Sequence, residues 1–400
     1  MQKQNNSLIV IVFTHFAVIF TVLSQMLNYQ RYFRPMMFAC WGIVLAYSLL
    51  AKKAVYINSY IKTFGLTMLF ILLHNIVAFF IYDKIQISNY FQVALIPLFV
   101  FFTMFQVAGH ITPEQFDKIL VTYCVCGVFL ALYLHIEYVP DMNTWLSSEV
   151  YIYGSKNSAA QIFISTAIIL LFYFKSDKKA VNILKCFLVI YLAGISMLLQ
   201  CRTALLGFVC AVAYYVFIRS DKKRRLFFLI ILLLGVLFVI SNKSLWEIVE
   251  HTFFLDKYDD ADLNQLSSGR LDLWVEALKM FAEKPILGNI YYYVDGMYIS
   301  VYAALGIIGG TAILIPWFKR VSRNFKALNF AQNHKAITNL ESTICYLTIF
   351  YLIESTLEGY PPFGPGACSA MYWLLCAYMD YTYYKPPQGS LVPIDSNLAK

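Results

Sequence analysis

Arg202 and Arg270 are the residues around which chemistry could be organised. A guanidinium is always charged and presents its N–H groups as a planar fork that matches the paired oxygens of a phosphate. Arg202 sits in Gln200-Cys201-Arg202-Thr203, a short link between two apolar runs. A charge there is costly unless it is paired or faces water; the plain alternative is an arginine snorkelling to a lipid headgroup. Arg270 follows Ser267-Ser268-Gly269, where Ser267 or Ser268 suits a helix N-cap. Apolar residues then recur at Leu271, Trp274, Val275, Leu278 and Phe281, with Asp272, Glu276, Lys279 and Glu283 on the opposite stripe. Pro285 ends the pattern and Gly288 turns the chain. This spacing predicts an amphipathic helix lying on a membrane surface. Arg270 falls in its first turn, where free backbone N–H groups also favour an anion.

Three carboxylates could work beside these arginines. Asp295 precedes Gly296 where a polar stretch gives way to an apolar run. It is placed either as a general base or as a polar boundary residue. Glu354 and Glu358 lie one helical turn apart at the end of another apolar run, and an acid at lipid depth is a functional candidate by default. Tyr153, Asn157, Trp274 and Tyr298 add aromatic and amide groups that could meet a sugar or an acceptor, although most aromatics here read as an interfacial belt. His74 with Asn75, His15 and His135 read as buried, hydrogen-bonded groups rather than catalysts. The run from Asp256 to Asp262 lacks the glycine and distal glutamate of a calcium loop and reads as a solvated acidic segment. The nine cysteines form no C-x-x-C pair, so neither a metal site nor a disulfide framework is expected, nor any cofactor.

What must position these residues is a membrane bundle. Of 400 residues, 60% are hydrophobic and 14% charged, with a mean hydropathy of +0.63. A soluble domain carries about 25% charged residues. Lipid leaves no partner for backbone groups, so apolar runs of this length must be helices. About twelve spans fit runs near 20 residues, at 8–27, 36–51, 63–82, 90–108, 118–137, 158–174, 182–200, 203–219, 225–241, 297–318, 339–357 and 364–381. The expectation is an all-α polytopic integral membrane protein, one transmembrane domain over 1–400. One large outward loop, 242–296, holds the amphipathic helix. Of the 31 Lys and Arg, 21 fall on one set of loop ends and 10 on the other. By the positive-inside rule both termini then face the cytoplasm. The +8 net charge is mostly this topology signal and does not argue for nucleic acid.

The run Ser268-Gly269-Arg270, Trp274, Phe281, Lys284-Pro285-Ile286-Leu287-Gly288, then Asp295 and Gly306-Ile307-Ile308-Gly309, resembles the O-antigen polymerase and ligase superfamily, the Wzy and WaaL types. The order also fits. Cys201-Arg202-Thr203-Ala204 precedes two spans, then the large loop, then the re-entry helix. Lys156-Asn157-Ser158-Ala159 is a weaker match. The resemblance covers about residues 155–310.

That resemblance implies a GT-C-like, metal-independent, inverting glycosyltransferase of the bacterial inner membrane. Its donor would be an undecaprenyl-diphosphate-linked oligosaccharide, with a chain-length regulator and a flippase as possible partners. Arg202 and Arg270 would clamp the diphosphate. Asp295, or else Glu354 or Glu358, would deprotonate or align the acceptor hydroxyl, and the spans would form a lateral groove for the polyprenyl chain. Ligases usually carry His-Asn where this chain has Asp295-Gly296, which favours a polymerase. The alternatives are a ligase, a flippase or transporter of the same lipid-linked sugar, and a structural subunit of an envelope assembly. A transporter should place its polar groups at mid-membrane depth, whereas here they gather at span ends.

Overall fold

A computed structural model describes residues 2–50, 58–82, 96–138, 156–253, 267, 269–289, 294–333, 339–359, 363 and 369–384. These residues are helical, with no strand among them. In chain order the helices are α1 (Gln2–Leu23), α2 (Gln30–Leu50), α3 (Ser59–Tyr82), α4 (Ile96–Ala108), α5 (Pro113–Tyr138), α6 (Lys156–Phe172), α7 (Lys179–Leu198), α8 (Arg202–Tyr214), α9 (Lys222–Ser241), α10 (Lys243–Phe253), α11 (Arg270–Glu283), α12 (Met297–Asn333), α13 (Asn339–Leu357) and α14 (Ala370–Tyr384). Among the described residues, five helical stretches are long and apolar enough to cross a bilayer, and four further apolar helices are shorter. The chain is an α-helical membrane protein.

The helices pack as neighbours in an extensive apolar core: α1 on α2 and α5, α6 on α5 and α7, α8 on α13, α12 on α3, α11 and α13, and α14 on α4. Small residues set the closest approaches. A Cβ on Gly207 would meet the Phe350 ring at 2.8 Å, so α8 lies hard against α13. His15 and His135 are hydrogen-bonded to Thr122 and Tyr191 at 2.8 and 3.1 Å as expected, but His15 is half-buried and His135 is exposed rather than buried.

Four local expectations are corrected. The large loop carries two helices, because Asn242 accepts the Leu245 N–H and starts α10 ahead of α11. The residue before α11 is Gly269 in the left-handed region, and Ser267 Oγ instead accepts the Leu271 N–H at 3.2 Å from two residues further back. The apolar stripe of α11 divides. Trp274, Ala277 and Phe281 pack on Val294, Ala303 and Tyr302, whereas Leu271, Val275 and Leu278 stay exposed. So α11 rests on α12 as well as presenting an apolar face outward. Finally, the re-entry span does not end near 318. α12 continues to Asn333, with a break at Gly306.

That break explains a sequence motif. Gly306 has φ 64° and ψ −171°, which interrupts the ladder of α12. In an unbroken helix the Ile307 N–H would bond the Ala303 carbonyl. Here Ile307 N–H donates to Pro285 O at 2.8 Å, and Ala303 O accepts from Asn289 N–H at 2.8 Å. Both orphaned groups are satisfied by the turn that follows α11. The two chains meet glycine on glycine: a Cβ on Gly288 would lie 2.2 Å from Gly306 N, and one on Gly306 would lie 2.3 Å from Ile286 O. The Pro285–Gly288 turn thus plugs the break in α12 and fixes α11, with Arg270 at its start, above the start of α12.

At the far end of α12 a second polar cluster ties the bundle together. Arg320, fully buried, donates through both terminal nitrogens to Asp380 at 2.9 and 3.0 Å, and Arg323 Nε reaches the same carboxylate at 2.9 Å. Asn58 donates to Asp380 at 3.1 Å and accepts the Ile61 N–H, capping α3. Arg320 Nε donates to Asn324, whose amide reaches Thr348 and Tyr372. Read as loop cations from the sequence, Arg320 and Arg323 are instead part of a buried network.

Candidate active site

Glu358 is the point where the site converges. It follows the last residue of α13, and its side chain is 7% exposed. Arg270 Nη2 donates to its Oε1 at 2.6 Å, Thr203 Oγ1 donates to the same oxygen at 3.3 Å, and Asn157 Nδ2 donates to Oε2 at 2.6 Å. The Met297 N–H donates to the Glu358 backbone carbonyl at 3.0 Å. Asn157 is the second residue of α6, Thr203 the second of α8, Arg270 the first of α11 and Met297 the first of α12. Four helix N-termini therefore meet at one residue. The positive ends of four helix dipoles thus gather there, which favours an anion.

The other candidates take defined places around this point. Asp295, more open at 37%, lies with Oδ2 3.6 Å from Arg270 Nε. Its backbone carbonyl accepts the Trp274 indole N–H at 2.6 Å, so Trp274 fixes the turn that presents Asp295. Arg202 opens α8 beside Thr203. The turn before it is a Schellman closure, with Gln200 N–H on Met197 O and Cys201 N–H on Ser196 O. Gln200 occupies the left-handed position, φ 56°, that glycine usually takes. Its carbonyl faces Lys156 Nζ at 3.5 Å, which brings a third cation to this end of the bundle.

Glu354 lies one turn deeper and fully buried; neither of its oxygens has a hydrogen-bond partner among the described residues. Because Asn157 meets Glu358 across antiparallel helices, Gln161, one turn further along α6, lies level with Glu354, and its Oε1 is likewise unpaired. Tyr298 points inward. Its hydroxyl accepts the Trp317 indole N–H at 3.2 Å and its ring stacks on Phe318. Tyr153 lies outside the described residues. Thr203 was not nominated by sequence; its only signal was adjacency to Arg202 in a tight interhelical turn. Among the described residues no group of three or more His, Cys, Asp or Glu could hold a metal ion.

Electrostatics at Glu358 are a balance. Burial pushes its carboxyl up, the Arg270 guanidinium opposes this, Asp295 adds to the rise, and the Thr203 and Asn157 hydrogen bonds oppose it; the outcome is a value of about 7. An apolar groove of about 540 Å³ runs between α5, α6 and α7, lined by Val121, Val125, Leu170 and Leu188, with Lys175 and Lys185 among its walls. It lies toward the end of α6 away from Asn157.

The arrangement is that of a helical membrane protein with a buried carboxylate and three cations gathered at one end of its bundle. Residues 187–289 match the family model described as O-Antigen ligase (Wzy_C). The matched segment holds Arg202, Arg270, Trp274 and the Pro285–Gly288 turn, whereas Asn157, Asp295 and Glu358 lie outside it. Over that segment the match supports the O-antigen polymerase and ligase superfamily. It does not separate polymerase from ligase. No curated protein matches the chain.

Proposed function

We propose that this protein is a polysaccharide polymerase that joins undecaprenyl-diphosphate-linked repeat units on the outer face of the inner membrane. The observation that carries this reading is the convergence of four helix N-termini on Glu358, three of which open with a cation: Arg270, Arg202 and Lys156. A diphosphate is the donor group that such an array fits. Arg202 and Arg270 hold it and stabilise the charge that develops as it leaves. The acceptor hydroxyl is oriented against the anomeric carbon, which converts an encounter into an aligned attack. Of the three carboxylates, Asp295 is the most open and is assigned to the acceptor proton. The reaction inverts the anomeric centre and needs no metal. Residues 1–400 form one transmembrane domain, with 242–296 outside the membrane and both termini in the cytoplasm. A chain-length regulator and a flippase are the expected partners.

A ligase is the second reading, favoured by the description of the matching family. The Asp295-Gly296 pair, in place of the ligase His-Asn, favours the polymerase. The test is a glycan ladder. Purified protein is given its lipid-diphosphate repeat unit without divalent metal, and the products are sized. Wild type is expected to build a ladder. Arg270→Ala should lose about 100- to 1,000-fold in turnover, as removal of one charge-stabilising donor does elsewhere. A single addition to a foreign acceptor with no ladder would establish the ligase; transfer of the unit across a liposome bilayer without coupling would overturn both.

A further inference from the structure

We propose that Glu358 is a built-in occupant of the donor's phosphate site, which the diphosphate displaces from Arg270 and which takes up a proton as it lets go. The inference rests on the diphosphate reading above and adds a regulation to that site. The Glu358 carboxylate is held by the donors that a phosphate oxygen would use: a guanidinium, an amide and a hydroxyl, at 2.6, 2.6 and 3.3 Å. Arg270 is 15% exposed and already divided between Glu358 at 2.6 Å and Asp295 at 3.6 Å. A diphosphate that takes the Arg270 Nη2 donors displaces Glu358 from them, since the same N–H cannot serve both anions. One anion must leave, and a diphosphate outbids a single carboxylate for a fork donor.

Once Arg270 turns to phosphate, Glu358 stays buried with Asn157 and Thr203 as neutral donors. It then faces the diphosphate, Asp295 and, one turn below, Glu354. Among the described residues, Lys156 and Arg202 open α6 and α8 beside Asn157 and Thr203, and both would serve the same ligand. A buried carboxylate that loses its counter-charge and gains an anionic neighbour is neutralised by protonation. Its position near neutrality while paired with Arg270 agrees with this. A protonated Glu358 becomes a hydrogen-bond donor to the diphosphate. In transfer, the acceptor oxygen bonds to the anomeric carbon, and the bond to the diphosphate breaks with its electron pair on the phosphate oxygen. The acceptor proton passes to Asp295. As the diphosphate leaves, Glu358 releases its proton to solvent, and the ionised carboxylate re-forms its pair with Arg270, which helps to expel the product.

The full-length protein is titrated calorimetrically with undecaprenyl diphosphate carrying no sugar. Two buffers of different ionisation enthalpy are used at pH 6.5, 7.5 and 8.5. At pH 8.5 the ligand's own phosphate is fully ionised, since such groups titrate near pH 6, so any proton taken up belongs to the protein. Wild type is expected to take up close to one proton there, and its affinity should fall by up to about tenfold per pH unit above pH 7.5. Glu358→Gln should bind more tightly than wild type at pH 8.5, by about tenfold or more, without that slope or that proton. Wild-type binding with no proton uptake at pH 8.5 overturns the exchange alone, and does so even if the variant does not fold. A folded Glu358→Gln variant that binds more weakly at every pH also overturns it, because a purely structural Glu358 would behave so. No binding by wild type at any pH overturns the diphosphate reading and the exchange together.

Discussion

At the scale of single residues, the physical chemistry of side chains nominated most of the site but not its geometry. Arg202 and Arg270 were legible because guanidinium groups near lipid need a reason. Glu358 was legible because an acid at the end of an apolar run needs one too. That Arg270 and Glu358, 88 positions apart, form one ion pair was not legible, since nothing local links them. Thr203 carried no signal of its own, because a hydroxyl is common and cheap to satisfy. The pair yields a stability prediction that does not depend on substrate. The Glu358 carboxyl stands near 7 when folded, against an ordinary 4.5. Between those values the folded chain keeps a proton that the unfolded chain has released. Stability from this group is therefore full below about pH 4.5 and declines as pH rises toward 7. The melting temperature of wild type minus that of Glu358→Gln, measured in detergent, should fall across this window and level off above it. A flat difference would show that Glu358 is ionised throughout.

At the scale of elements, the amphipathic helix, its arginine at the first turn and its proline stop were readable from spacing and caps. The reason for the paired glycines was not. Sequence suggested only that small residues permit close packing. The structure shows that Gly306 opens a gap in α12 and that the turn after α11 fills it, bond for bond. A helical period cannot announce a gap whose partners are supplied by a turn some 20 positions earlier in the chain. Gly306→Ala tests the device. The new Cβ would meet Ile286 O at 2.3 Å at a φ of 64°. Strain and overpacking of that kind each cost about 1–3 kcal/mol. Gly65→Ala in α3, where nothing lies within 4 Å of the added atom, should be neutral or slightly stabilising. Hydrogen exchange should report the difference locally: α11 amides lose protection in Gly306→Ala and keep it in Gly65→Ala. Equal protection in both would mean that the turn does not hold α11.

At the scale of the whole molecule, the bundle is fastened at two ends by two different ionic devices. Composition made the membrane class plain, but the positive-inside reading assigned Arg320 and Arg323 to a loop. They lie instead on α12, which runs on for a further four turns past the predicted span end, and only the packing of α3, α12, α13 and α14 shows that Asp380 awaits them. This cluster sits on the second half of α12, beyond the break at Gly306, where the helix turns back as the Tyr298–Trp317 hydrogen bond across 19 positions requires. It differs from the Glu358 site in kind. Arg320 and Asp380 are 0% and 1% exposed, and both Asp380 oxygens accept from two donors each. A fully satisfied buried pair has nothing left to offer a ligand, so its role is to hold helices in register. Removing one partner of such a pair costs about 3–5 kcal/mol because the other charge remains buried. Asp380→Asn should therefore lower the melting temperature sharply. Replacing Arg320 by Met together with Asp380 by Leu should recover most of the loss, since Arg323, 14% exposed, can turn outward. Undecaprenyl diphosphate affinity of the folded double variant should match wild type, because the site at the other end keeps its donors. An Asp380→Asn protein that melts with wild type would show that the cluster is not a fastening. A stable double variant with lost diphosphate affinity would show instead that the two ends are coupled through α12, across the break at Gly306.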